Sequence, residues 1–161
     1  ERVQKRTGSD LGLIFVGTGP ERDRLVEKAE RSALEEVHFL GSQNQSELPR
    51  IYGACDVFVL PSENEPWGLV VNEAMAAGLP IVTTEEVGAA DDLVQDGRNG
   101  YVYPCGEVTA LTDALEPLLR DPKERHRMGG ESRRIIGGWS FDRCVEGLRR
   151  ALSHTCESRN A

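Results

Sequence analysis

The stretch EPWGLVVNEAMAAGLP, residues 65–80, decides how the rest of this chain is read. From Leu69 to Ala77 the only polar side chains are Asn72 and Glu73, so a helix here has almost no hydrophilic face and is expected to be buried. A carboxylate on such a helix is costly unless something donates hydrogen bonds to it. Glu73 therefore either faces a partner kept for it, a ligand being one option, or occupies a single exposed strip as an ordinary surface glutamate. Glu65 stands just ahead of the same helix, in a loop ending at Gly68.

Outward from this stretch, short apolar runs alternate with helical segments. LGLIFVG (11–17), rich in branched and aromatic residues and closed by glycine, reads as a buried strand. VHFLG (37–41), DVFVLP (56–61), PIVTT (80–84) and NGYVYP (99–104) read as four more, the last entered by the turn DGRNG. Between them lie a charged amphipathic helix, ERDRLVEKAERSA, and QSELPRIYGAC, a helix with proline in its first turn. From 108 onward the chain reads as helical: VTALTDALEPLLRD, a break at Asp121-Pro122, KERHRMGGESRRIIGG and FDRCVEGLRRALSHT, with a frayed end. This rhythm gives an α/β fold with a doubly wound parallel sheet and helices on both faces.

Composition narrows the function. A chain of 161 residues, 39% hydrophobic with 17 glycines, fits one α/β domain. A net charge of -8 argues against nucleic acid and against an anionic membrane surface. Any bound anion must be held by backbone dipoles and a few arginines. Cys55, Cys105, Cys144 and Cys156 form no C-x-x-C pair, which reads as reduced thiols in a cytoplasmic protein. His38, His126 and His154 lack metal-ligand spacing, so no metal is expected. No apolar run reaches the ~18 residues of a membrane span, and no signal peptide is evident.

In open parallel sheets, ligands sit outside the carboxyl ends of the strands. Two loops there carry unusual chemistry. In Gly17-Thr18-Gly19-Pro20 the glycines Gly17 and Gly19 let the backbone approach a ligand, although the same pattern serves as a generic strand-to-helix turn. SENEPWG (62–68) delivers Gly68 and Leu69 to a helix start, where unpaired N–H groups and the positive end of the macrodipole favour phosphate. An acidic protein could hold an anion this way without a basic patch.

Together, FVGTGPERDRL (15–25), VHFLG (37–41), ACDVFVLPSENEPWGLVVNEAMAAGLPIV (54–82) and DLVQDGRNGYVYP (92–104) resemble the C-terminal, nucleotide-sugar-binding domain of family 4 retaining glycosyltransferases of the GT-B fold. The resemblance covers almost the whole chain. Its most specific part is Glu, seven residues and Glu, with Gly-Leu-Val between and Glu-Ala-Met-Ala-x-Gly-x-Pro after. It implies a Rossmann-like half of GT-B in which Glu73 accepts hydrogen bonds from the ribose hydroxyls of the donor. It places Glu65, the catalytic position, against the donor sugar near the reacting carbon. Backbone N–H groups of Trp67, Gly68, Leu69 and Val70 would hold sugar and diphosphate, Trp67 standing where the family usually has Phe. The backbone of Ser42 and Gln43 would border the base, with the Gly17–Gly19 turn also at the donor. The implied reaction transfers a hexosyl unit from a UDP or GDP sugar to an acceptor hydroxyl with retention, as in polysaccharide biosynthesis. It needs no cofactor or metal.

The sequence also departs from the family pattern. The family's Arg and Lys, in segments resembling Gly-Arg-Leu and Lys-Gly, follow the domain's first strand, whereas ERVQKRTGSD resembles the end of the first helix. Residues 1–161 are therefore expected to be a donor-domain fragment lacking that strand and the N-terminal acceptor domain. Such a piece would be catalytically silent and bind donor weakly at best. Membrane contact would arise only through the N-terminal domain. Arg22 and Arg24 are expected to be solvated rather than to replace the basic pair. In the strand order 3-2-1-4-5-6 the first strand is central, so LGLIFVG and DVFVLP are expected to pair directly, to have the slot between them filled, or to leave an unstable fragment.

Four further features have modest readings. Asp91-Asp92 reads as a helix cap rather than a metal site, and Glu85-Glu86 as solvated charge rather than a substrate contact. Trp139-Ser140-Phe141 reads as a packing anchor. Val145, Leu148 and Leu152 form an apolar stripe that in full-length relatives turns toward the N-terminal domain. Two alternative functions stand beside the transferase: a nucleotide-sugar epimerase of related fold, disfavoured because no His lies in a strand-end loop, and a binding module without transfer.

Overall fold

The computed structural model describes residues 1–157, with side chains as far as Ser153; the side chains of His154 and Cys156 and the terminal residues expected to fray lie outside the described part. Eight helices and five strands alternate through it. α1 (Arg2–Thr7) precedes β1 (Gly12–Phe15), α2 (Arg22–Glu30), β2 (Glu36–Phe39), α3 (Leu48–Gly53) and β3 (Phe58–Leu60). α4 (Leu69–Ala77), β4 (Ile81–Thr84), α5 (Ala89–Leu93) and β5 (Gly100–Tyr103) follow, and α6 (Val108–Arg120), α7 (Pro122–Ile136) and α8 (Phe141–Glu157) close the chain. Each expected strand is present and shorter than expected, with β2 shifted to begin one residue early, at Glu36.

All strand pairs are parallel, as the crossover helices require. β4 is central in a three-stranded sheet, β3-β4-β5, and every one of its residues is buried. Alternation along it splits the core: Ile81 joins Val71, Met75, Val87 and Leu93 on one side, and Val82 joins Tyr103, Leu118 and Met128 on the other. Helix α7 bridges the two, Met128 lying in the second cluster while Ile135 and Ile136 pack against the first. Its approach to α4 is close enough that a Cβ on Gly129 would lie 2.0 Å from the Gly78 carbonyl oxygen.

β1 and β2 form a separate sheet in which Phe15 lies opposite Phe39, their rings stacked with centroids 4.7 Å apart. The expected closure by direct pairing does not occur. Among the described residues, β1 and β3 are not hydrogen-bonded to each other, and no strand fills the interval. The segment ahead of β1 cannot serve, because its charged residues fold as helix α1 against α6. Val3 is buried there, Arg6 pairs with Asp113 at 2.5 Å, and Arg120 donates to the Arg6 carbonyl at 2.8 Å. The strands thus form two parallel sheets, β1-β2 and β3-β4-β5.

Several local expectations change. β1 is not buried: Leu13 is 38% exposed, and no residue of the strand is fully buried. α4 is buried on one face only, through Val71, Ala74 and Met75, while Leu69 is 70% exposed. Asp91 and Asp92 fall inside the first turn of α5 rather than capping it, the cap position being Gly88. Phe141 is 92% exposed and anchors nothing, and every residue from 141 to 153 is exposed. Val145 and Leu148 are accordingly open to solvent, as is the surface of Leu152.

Candidate functional site

The loop after β3 is built by short-range constraints that leave it little freedom. Glu65 forms an isolated parallel bridge with Val87, its N–H donating to the Glu86 carbonyl at 3.1 Å and its carbonyl accepting from Gly88 N–H at 2.9 Å. Gly88 must be glycine for this contact, since a Cβ there would lie 2.1 Å from the Pro66 carbonyl oxygen. The Trp67 carbonyl accepts from Ala89 N–H at 2.9 Å. On the other flank, Thr83 and Thr84 donate their hydroxyls to the carbonyls of Leu60 and Ser62 at 3.0 and 2.5 Å. Residues 60–67 are thus stitched to the end of β4 and the start of α5.

The loop ends at Gly68, whose φ of 88° lies in the left-handed region, and α4 starts there without a side-chain cap. Among the described residues, no acceptor takes the amides of Gly68, Leu69 or Val70, so the helix start presents open donors. Trp67 N–H is partly used, pointing to Glu65 Oε1 at 3.4 Å, a long and weak bond. Its indole N–H donates to Asn72 Oδ1 at 3.1 Å, and its ring packs against the core and against Trp139. The indole therefore braces the loop.

Glu73 lies on the open stripe of α4, spaced i, i+4, i+7 with Leu69 and Ala76, and not on the buried face. It has a protein partner, Tyr52 of α3, whose hydroxyl donates to Oε2 at 2.9 Å. Burial first, and then the hydrogen bond and charge of Glu73, push the Tyr52 phenol far above its ordinary value. Tyr52 therefore stays a donor. Sequence reading missed it because the two residues are 21 positions apart on separate helices. The role of Asn72 was more accessible, as it is one of two polar residues in an otherwise apolar helix.

A second group gathers at the ends of β1 and β2. Gly17 N–H donates to the Gly41 carbonyl at 2.8 Å, and the hydroxyls of Thr18 and Ser42 lie 3.3 Å apart. Gln43 folds back to donate to the Leu40 carbonyl at 2.6 Å. Gly17, with φ 117°, needs its glycine; Gly19 has no such φ, and open space surrounds both. No hydrogen bond or ion pair among the described residues joins this group to Glu65 or Glu73. Arg22 and Arg24 pair with the neighbouring Asp23 and Glu21 on the surface of α2. Among the described residues no His, Cys, Asp and Glu cluster could hold a metal.

The family model for group 1 glycosyl transferases matches residues 1–135. The chain belongs to the group 1 glycosyltransferase family. It is 36% identical over 131 residues to N-acetyl-alpha-D-glucosaminyl L-malate synthase of Bacillus anthracis, covering 81% of this chain and 34% of that one. It is 34% identical to D-inositol 3-phosphate glycosyltransferase of Nocardia farcinica, covering 95% and 35%. The chain thus spans about a third of the length of these two relatives. Among solved structures it is similar to the C-terminal domain of a group 1 family protein from Francisella tularensis, at 25% identity and TM-score 0.74 over 85% of this chain and 73% of that one. An Anabaena protein, HepE, in complex with UDP-glucose matches at 27% identity and TM-score 0.75, covering 98% and 43%. The fold is that of the C-terminal half of a GT-B glycosyltransferase.

Proposed function

We propose that this chain holds a nucleoside-diphosphate sugar as the donor half of a retaining glycosyltransferase that transfers a hexosyl unit to an acceptor hydroxyl. The observation that carries this reading is the pairing of an uncapped helix start, with free amides at Gly68, Leu69 and Val70, with a carboxylate held on the open stripe of the same helix. A diphosphate suits the first and a vicinal diol the second.

In this reading Glu73, oriented by Tyr52, accepts from both ribose hydroxyls. The amides at the α4 start receive the diphosphate, and Glu65 meets hydroxyls of the sugar beside the anomeric carbon. Charge builds on the diphosphate as it leaves, so fixed N–H dipoles stabilise the transition state more than the ground state and need no reorganisation. Ser42, Gln43 and the Gly17–Gly19 turn border the base, with UDP or GDP as its carrier. The chain spans about a third of its relatives' length, and in this reading the acceptor is bound by a part of the transferase other than this donor domain.

The commitment of Arg22 and Arg24 to local acids favours a second reading, a binding module without transfer. Calorimetry with UDP, GDP and ADP sugars tests the main proposal. Wild-type chain is expected to bind one of them, weakly, and Glu73→Ala to lose that binding with its fold intact. Unchanged affinity in the variant would remove the ribose role.

A further inference from the structure

Trp139 stands between α7 and α8, just after the Gly137-Gly138 pair, with its N–H donating to the Ile136 carbonyl at 2.9 Å. Its ring meets that of Trp67, centroids 5.9 Å apart and planes tilted by 44°. These are the two tryptophans of the chain. Trp67 is the node of the Glu65 loop: its amide points to the Glu65 carboxylate, its indole N–H to Asn72 on α4, and its carbonyl to the amide of Ala89 on α5. Trp139 itself is 46% exposed, so deleting its ring removes a contact from Trp67 without opening the core.

We propose that Trp139 is a positioning residue for the Glu65–Gly68 loop. Its indole limits the swing of the Trp67 ring, and Trp67 in turn fixes both Glu65 and the first turn of α4. Because Trp139 is also the root of α8, the placement of that helix is tied to the geometry of the loop. α8 has its residues 141–153 exposed, so Trp139 is where its movement would reach the body of the domain. The inference rests on the reading of this loop as a donor site.

Three measurements test it. Two indoles this close give a far-ultraviolet exciton couplet, expected in the wild-type chain and abolished by Trp67→Phe or Trp139→Phe. In Trp139→Ala, hydrogen exchange of the Trp67 indole N–H, which donates to Asn72, and of the Ala89 amide, which donates to the Trp67 carbonyl, is expected to accelerate between about two- and tenfold, the range of an aromatic pair contact. Trp139→Phe, which keeps a ring in place, restores most of the protection. Affinity for UDP-glucose falls in Trp139→Ala by a similar factor while affinity for UDP changes less, since Glu65 addresses the sugar. Exchange that is unaltered in Trp139→Ala, or altered equally by Phe and Ala, overturns the positioning role whatever the ligand does. A wild-type chain that binds no UDP, GDP or ADP sugar while exchange responds as expected overturns the donor-site reading and leaves the hold on the loop standing.

Discussion

Tyr52→Phe removes one hydroxyl and tests how Glu73 is held. Tyr52 is 9% exposed, and its ring meets Phe58 edge-on with centroids 6.0 Å apart, so the phenylalanine keeps the packing and loses only the bond to Glu73 Oε2 at 2.9 Å. A hydrogen bond to a charged group contributes about 1.5–3 kcal/mol when both partners are dry. Glu73 is half-buried and recruits water once Tyr52 withdraws, which brings the expected cost down to about 1 kcal/mol. In a chain of this size that corresponds to a fall in Tm of roughly 2–4 °C. Urea unfolding should show a lower midpoint with an unchanged slope, the signature of lost stability without altered compactness. Combined with Glu73→Ala, the hydroxyl deletion should cost nearly nothing further, giving a coupling close to the single-variant effect. Nucleotide-sugar affinity should drop by about threefold or more, because the carboxylate loses its fixed orientation. Additive single and double variants would refute the idea that Tyr52 holds Glu73.

Other outcomes follow from the same geometry. Gly88→Ala drives a Cβ to 2.1 Å from the Pro66 carbonyl oxygen and should destabilise by about 2 kcal/mol or more while abolishing donor binding, checked by urea melts and calorimetry. Gly129→Ala, at 2.0 Å from the Gly78 carbonyl oxygen, should destabilise by a similar ~2 kcal/mol through the α4–α7 contact, measured in the same melts. In alkaline titration, Tyr52, Tyr101 and Tyr103 are all raised, burial being the first cause for each. The folded chain keeps protons that the unfolded chain releases near pH 10, so this stabilisation is complete below about pH 10 and is lost as pH rises through the higher folded values. Tyrosinate absorbance should therefore appear together with loss of helical circular dichroism; tyrosines ionising at their ordinary pH in an intact fold would contradict it.

What the sequence made legible was local. β4 reads as IVTT and is buried at every position, and the glycine turn, helix start and paired glutamates of residues 65–80 follow from chemistry within a few residues of one another. The exposure of Leu13 was not legible, because it depends on what packs over the faces of β1 rather than on LGLIFVG itself. Apolar composition similarly made α4 look buried all round, whereas Leu69 and Ala76 are open on the stripe that carries Glu73. Partners distant in sequence escaped altogether: Tyr52 for Glu73, and Trp139 for Trp67. The capping expectation for Asp91-Asp92 failed because the helix starts earlier, with Gly88 at the cap position, which places both aspartates in the first turn instead of ahead of it.

The central claim is that the start of α4 and its open stripe grip the two ends of one donor. Titrating labelled chain with UDP-glucose while following backbone amide shifts tests it most directly. The account predicts perturbations concentrated at Gly68, Leu69, Val70 and Glu73, with a second set at Ser42 and Gln43. Perturbations confined to other elements, with the amides of residues 68–70 unmoved at saturation, would contradict it.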